Sequence, residues 1–256
     1  DLGNYQKALE LNKKSYELRC KVLGEEHPDT ISSLNNLACS YSDLGDYQKA
    51  LELKEKIYEL YCKVLGEEHP YTIGSLNNLA YSYSDLGEYQ KALELNKKSY
   101  ELRCKVFSEE HPYTISSLNN LAYSYRDLGN YQKALELNKK CYDLRCKVLG
   151  DEHPDTLCSL NNLACSYRDL GDYQKALELN KKCYELRCKV LGEEHSDTLY
   201  SLNILAFSYG VLCEYQNALE LFEKCYDLRR KVLGEEHPDT LKTLEALNIV
   251  RKKLQN

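Results

Sequence analysis

The sequence predicts an all-α fold, a right-handed α-solenoid of antiparallel helix pairs. Gly3, Gly45, Gly87, Gly129 and Gly171 stand 42 residues apart, and His27, His69, His111, His153, His195 and His237 keep the same interval. Between these marks the apolar residues recur with the period of a helix. A fixed repeat of this size means that each unit buries its apolar face only against its neighbours. Function is therefore expected on a surface that is itself repeated.

The unit beginning at Thr72 shows how each element follows. Leu76, Leu79, Ala80 and Tyr83 fall at i, i+3, i+4 and i+7, the stripe of an amphipathic helix, and the run stops at Asp85-Leu86-Gly87. Gly87 suits a left-handed C-cap, because it has no Cβ to clash there. Tyr89, Ala92, Leu93, Leu95, Tyr100, Leu102, Val106 and Phe107 then mark a longer helix, apolar on two sides and so sandwiched between its partner and the next unit. Its polar stripe of Lys91, Glu94, Lys98, Glu101 and Lys105 reads as a solvated face with i,i+4 pairs Glu94/Lys98 and Glu101/Lys105. The link Ser108-Glu109-Glu110-His111-Pro112 ends that helix and starts the next, with proline in a first turn where its missing N–H is harmless. The histidines read as capping and turn residues, since a repeat spacing separates them too far to share a metal ion.

Carried along the chain, this division makes residues 1–256 a single array. Residues 1–28 form a lone second helix, 29–70, 71–112, 113–154, 155–196 and 197–238 are full pairs, and 239–256 is a terminal helix; about eleven helices are expected. The absence of Met predicts a start partway through a repeat, in a piece of a longer protein.

The formal net charge is −6, with Lys and Glu interleaved, so no clustered basic surface exists for nucleic acid. No apolar run approaches the roughly 20 residues that cross a bilayer, and no leader pattern is visible, which points to a cytoplasmic protein with no membrane partner. Eight of the twelve cysteines are copies of two repeat positions, Cys20, Cys62, Cys104, Cys146 and Cys188 at one and Cys141, Cys183 and Cys225 at the other. Equivalent residues on stacked helices lie about 8–10 Å apart, beyond disulfide reach. Reduced, buried, structural thiols are expected.

The motif SLNNLAxSYxDLGxYQKALEL, here Ser33 to Leu53, followed by KVLGEEHPxT, here Lys63 to Thr72, resembles the tetratricopeptide repeat, in particular the 42-residue form of kinesin light chains and nephrocystin-like proteins. The resemblance covers the whole chain. It implies a protein-binding scaffold whose first helices line a concave groove for extended peptides or partner helices. If Leu76, Leu79, Ala80 and Tyr83 face the core, then Gly74, Asn77, Tyr81, Ser84 and Asp85 lie on the adjoining, inner face. Repetition makes an asparagine ladder of Asn35, Asn77, Asn119, Asn161 and Asn203. Similar asparagines in kinesin light chains hold a bound peptide's backbone, and an amide can pair with both N–H and C=O whatever the peptide sequence. The alternative is hydrogen bonding to neighbouring helices. Beside the ladder run Cys39, Tyr81, Tyr123, Cys165 and Phe207, whose aromatics suit ligand contact. One turn on, Arg126 and Arg168 either make the groove locally basic or pair with Asp127 and Asp169. In the fifth pair Gly210-Val211-Leu212-Cys213 replaces the usual turn, and Tyr200, Phe207 and Phe222 add apolar bulk, which is either a local repacking or a pocket.

The expected function is a non-enzymatic interaction module with a protein or peptide ligand and no cofactor, metal or catalytic residue, since GxGxxG, GxSxG and HExxH are all missing. The alternative is the sensing or regulatory arm of a larger enzyme or NTPase signalling protein. The unpaired N-terminal helix predicts end-to-end self-association, because a surface that accepts its neighbour in the chain accepts another copy. Light scattering should then give a mass that rises with concentration, and a monomer throughout would refute this.

Overall fold

The structure, a computed structural model, describes residues 2–255. Among them are twelve helices: α1 (Leu2–Leu23), α2 (Pro28–Asp43), α3 (Tyr47–Leu65), α4 (Pro70–Asp85), α5 (Tyr89–Val106), α6 (Pro112–Asp127), α7 (Tyr131–Leu149), α8 (Pro154–Asp169), α9 (Tyr173–Leu191), α10 (Ser196–Val211), α11 (Tyr215–Leu233) and α12 (Pro238–Gln255). The expected eleven is one short, because two lone helices and five pairs already make twelve. The chain is an all-α solenoid in which the helices form two compact units, α1–α6 and α7–α12, and within each unit every helix packs on the next.

The links fold as their residues require. Each histidine precedes a first helix and accepts, at Nδ1, a hydrogen bond from the backbone N–H two residues on, at 3.1–3.2 Å. That bond satisfies one of the N–H groups a helix start leaves unpaired. The first helix ends in a left-handed residue, as at Gly45 (φ 80°), where Asp46 N–H reaches back to Tyr41 C=O at 2.9 Å. In the fifth pair this position is Cys213, which keeps the same turn at φ 60°. The link after α5 differs too. Where other links have glycine it has Ser108, and the chain leaves the helix one residue early, with Phe107 extended and stacked 4.3 Å from the His111 ring.

The core of each unit is a stack of apolar layers. In the first, Ile31, Leu34 and Leu37 meet Ile57; in the second, Leu157 and Leu160 meet Cys183, and Ala206, Ala218, Phe222, Leu247 and Val250 close the far end. Leu241 is 51 % exposed, whereas Ile31, Ile73, Leu157 and Leu199 at the same repeat position are at most 1 % exposed, because among the described residues no second helix packs over it. On α1, Leu11, Leu18 and Val22 are likewise exposed.

Three expectations need correction. Only Cys141, Cys183 and Cys225 are buried; Cys39, Cys158 and Cys213 are exposed and the remaining six are half-buried, since their repeat positions fall on the margins of the helix contacts. Phe107 lies outside its helix. The polar stripe, read as pairing within the helix, instead reaches back to the preceding link. Lys56 meets Glu25 at 3.3 Å and Lys98 meets Glu67 at 3.6 Å, while Lys63, Lys105, Lys189 and Lys231 pair with Glu26, Glu68, Glu152 and Glu194. Lys98 also donates to Tyr58 at 2.9 Å, a bond that raises its pKa. The glutamates of these links thus tether the next second helix, although exposed pairs of this kind contribute only about 0–1 kcal/mol each.

Buried polar bonds set the register between pairs. Asn12, Asn96, Asn138 and Asn180 on second helices donate to Ser40, Ser124, Ser166 and Ser208 on the following first helices at 2.8–2.9 Å. Arg145, Arg187 and Arg229 each reach the carbonyl ten residues later at 2.8–3.0 Å, and also a hydroxyl on the same helix, Ser159, Ser201 or Thr243.

A side chain in the left-handed region costs about 1–2 kcal/mol, part of which glycine returns as chain entropy. Cys213→Gly should therefore stabilise the protein by roughly 0.5–1 kcal/mol, read as a rise in Tm, and a fall in Tm would contradict the strain.

Candidate functional site

In the first unit, α2, α4 and α6 are first helices, and their inner faces meet the second helices α3 and α5 around one cleft of ≈ 460 Å³. Asn35, Asn77 and Tyr81, three of the residues expected in the groove, line it together with Gly74, Asn78, Asn120, Tyr61, Tyr71 and Arg103. Asn35 Oδ1 accepts from Asn78 Nδ2 at 3.4 Å, and the Tyr81 hydroxyl donates to Asn120 Oδ1 at 2.8 Å. Asn77 is 8 % exposed, and its Oδ1 is buried without a hydrogen-bond partner. A buried acceptor left unpaired costs about 1–3 kcal/mol, so it favours any group that brings a donor.

The walls of this cleft are aromatic and cationic. Tyr61 and Tyr71 lie 6.1 Å apart, and Tyr71 is exposed. Arg103 is nearly buried; it donates to the Tyr113 carbonyl and sits 5.8 Å from the Tyr113 ring. Burial lowers its pKa, against the opposing influence of Tyr113 and Tyr81. Gly74 opens the cleft: Ser32, Ser116, Cys158, Tyr200 and Lys242 occupy the equivalent positions, and a Cβ on Gly74 would meet nothing within 4 Å.

The remaining groove candidates stand elsewhere. In the first unit, Asn119 and Arg126 are half-buried and Tyr123 is exposed on α6, outside this cleft. Burial raises the pKa of Asp127, and Arg126 opposes the shift. In the second unit Asn161 is half-buried on α8. Asn203 Oδ1 accepts from Thr243 Oγ1 at 3.2 Å, an inter-helix bond of the kind weighed as the alternative for the ladder. Arg168 pairs with Asp169, Nη2 to Oδ1 at 3.1 Å.

Phe207 is half-exposed and borders two cavities in the second unit. One, of ≈ 20 Å³, lies against Arg168, Asn180 and Ser208. The other, of ≈ 280 Å³, is apolar and lined by Gly210, Val211, Tyr215, Phe222, Ala246, Ile249, Val250 and Lys253. The unusual fifth pair thus contains both a repacking and a pocket. Phe222 and Val250 stand where an asparagine and its serine are found elsewhere, and Gly210 stands where Ser42, Ser84, Arg126 and Arg168 fill the space.

The family profile described as tetratricopeptide repeat matches residues 1–63, 49–105, 71–147 and 113–189, and a second profile of that description matches 198–239. The chain belongs to the tetratricopeptide repeat family. Among solved structures, a Podosopora anserina protein of nearly identical TPR-like repeats, described as a kinesin light chain, is 34 % identical over 80 % of this chain and 97 % of its own, with a TM-score of 0.71. BtubC (BKLC) from P. vanneervenii shares the fold at 19 % identity, covering 91 % of this chain and 94 % of its own, with a TM-score of 0.75. So does a signal transduction ATPase of the STAND class with a tetratricopeptide repeat sensor, from Pyrococcus horikoshii, at 17 % identity and a TM-score of 0.68, covering 96 % of this chain and 36 % of its own. Among curated proteins none matches the sequence significantly.

Sequence reasoning missed Arg103, Tyr61 and Tyr71, because they project from a second helix and a helix start rather than from the ladder. The signal was present: Tyr61 replaces the arginine of the other units, and Tyr71 replaces Asp29 or Asp155. A Cβ on Gly210 also meets nothing within 4 Å. Gly210→Leu should fill the apolar pocket and gain about 1 kcal/mol of helix propensity, raising Tm; a destabilised protein would mean that the space is closed.

Proposed function

We propose that the chain is a non-enzymatic protein-interaction scaffold that holds an extended peptide segment of a partner in the groove of its first helices. The observation that carries this reading is the polar cleft at Asn35, Asn77 and Tyr81, where the buried Asn77 Oδ1 lacks a donor and Arg103 offers one. A peptide backbone supplies both an N–H and a C=O in fixed alternation, which matches a wall of amides independently of peptide sequence. The aromatic rings of Tyr61, Tyr71 and Tyr81 supply the apolar contact that anchors such segments. At ≈ 460 Å³ the cleft falls within the roughly 300–1,000 Å³ of ligand sites. In this reading Asn119, Tyr123 and Arg126 continue the groove surface of the first unit, Asn161, Arg168, Asn203 and Phe207 belong to the groove surface of the second, and both sets contact parts of the partner beyond this cleft. The chemistry this cleft offers is hydrogen bonding and stacking.

The fold shared with the TPR sensor of the signalling ATPase supports a second reading, in which the array is the regulatory arm of a larger NTPase. The same groove would then take a ligand that switches the attached enzyme. A P-loop elsewhere in the full coding sequence would favour this reading.

Selection of a random twelve-residue peptide display library on the wild-type protein tests the groove. Recovered clones should lose about tenfold or more in affinity towards Asn77→Ala, the effect of removing a bond to a buried group, and should fail to bind Gly74→Leu, whose side chain occupies the cleft. Clones that bind all three proteins equally would place recognition elsewhere.

A further inference from the structure

The fifth pair leaves open a niche that the fourth pair fills. The ≈ 20 Å³ and ≈ 280 Å³ cavities are the same place one repeat apart: Arg168, Asn180, Ser208 and Val211 around the first stand 42 residues before Gly210, Phe222, Val250 and Lys253 around the second. In the first niche the Arg168 guanidinium takes up the space and pairs with Asp169 at 3.1 Å. In the second both members of that pair are gone, replaced by Gly210 and Val211. Exchanging both partners of a polar contact for apolar groups strands neither of them. The asparagine and serine are exchanged in the same way, for Phe222 and Val250, which are buried. A Cβ on Gly210 would meet nothing within 4 Å, so no neighbour has moved in to use the room.

The walls set the chemistry of an occupant. Phe222 and Val250 close the deep end, while Phe207 and Ile249, 51 % and 55 % exposed, flank the mouth as an apolar patch. The one hydroxyl in the lining, that of Tyr215, donates to Cys213 Sγ at 3.5 Å. The one charge in the lining is Lys253. Earlier first helices carry Asp43, Asp85, Asp127 and Asp169 at that repeat position, so the sign of the charge is reversed here. Lys253 is exposed, and among the described residues no hydrogen bond or ion pair holds it. A dry apolar cavity of about 150 Å³ takes up benzene, so this one has room for a chain of about ten carbons. We infer that the niche binds a free medium-chain carboxylate, its chain packed between Phe207 and Phe222 and its carboxylate paired with the Lys253 ammonium. An apolar side chain from a partner fits less well, because it fills only part of the volume and brings no charge to Lys253. The site stands whether or not a peptide occupies the cleft at Asn77.

Calorimetric titration of the whole chain with decanoate, decanol, decylamine, hexanoate and N-acetylphenylalaninamide, each below any micellar concentration, tests the site. Decanoate should bind one to one, about two- to fivefold tighter than decanol, the range of an exposed ion pair. It should bind more than about tenfold tighter than hexanoate, which buries fewer methylenes, and decylamine should bind more weakly than decanol. Lys253→Gln, a change at an exposed side chain that keeps the fold, should bind decanoate and decanol alike. Gly210→Leu should bind neither. Failure of wild type to bind decanoate, decanol or decylamine binding as tightly as decanoate, or an unchanged decanoate preference in Lys253→Gln would each overturn the assignment. So would full decanoate binding by Gly210→Leu, tighter binding of N-acetylphenylalaninamide, which would make the niche a side-chain pocket, or a dimer that Gly210→Leu dissolves, which would give it to a second copy. If Gly210→Leu does not fold, the comparison of wild type with Lys253→Gln decides alone.

Discussion

The bond from a second-helix asparagine to a first-helix serine 28 residues later is the contact on which the rest of the stack depends. Apolar layers such as Ile31, Leu34 and Ile57 supply most of the free energy, but greasy faces slide and tolerate rotation. A buried amide and hydroxyl do not, because any slip leaves both unpaired inside the helix contact. The arginines that reach a backbone carbonyl ten residues later act in the same way at the other end of the interfaces that carry them, as at α5–α6, α7–α8 and α9–α10. At the α5–α6 interface register held at both ends brings the inner faces of α4 and α6 close enough for Tyr81 to meet Asn120.

Most of this architecture was readable beforehand. The stripe Leu76, Leu79, Ala80 and Tyr83 and the stop at Gly87 led to a helix that ends where expected, and the histidines cap as their place in the link suggested, His195 before Ser196 included. What was not readable depends on contacts between repeats. Lys98 has a glutamate four residues before it in the chain, and local spacing favours that partner; only the stacked structure brings Glu67 and Tyr58 to its ammonium. Cys39 and Cys141 look alike in sequence but differ in exposure, because one lies on the groove side of a first helix and the other inside a helix contact.

The candidate site was legible in part for the same reason. Asn35, Asn77 and Tyr81 share a face of the first helices, and helical geometry alone groups them. Arg103 comes from a second helix and enters the cleft only through packing. Asn203 was grouped with the ladder by position but is held by Thr243, a residue that replaces serine in the last helix. Position within a repeat therefore predicts direction well and partnership less well, since partnership depends on what the next repeat carries at its matching position.

That dependence on matching positions bears on how such a gene can change. Where an asparagine faces a serine at consecutive interfaces, slippage that deletes or duplicates one 42-residue copy joins surfaces that already fit, so array length is free to drift. The Phe222 and Val250 pair is different, because a breakpoint between them sets phenylalanine against serine, or asparagine against valine. The far end of the chain is thus a barrier to recombination, and length variation should accumulate among the copies that precede it.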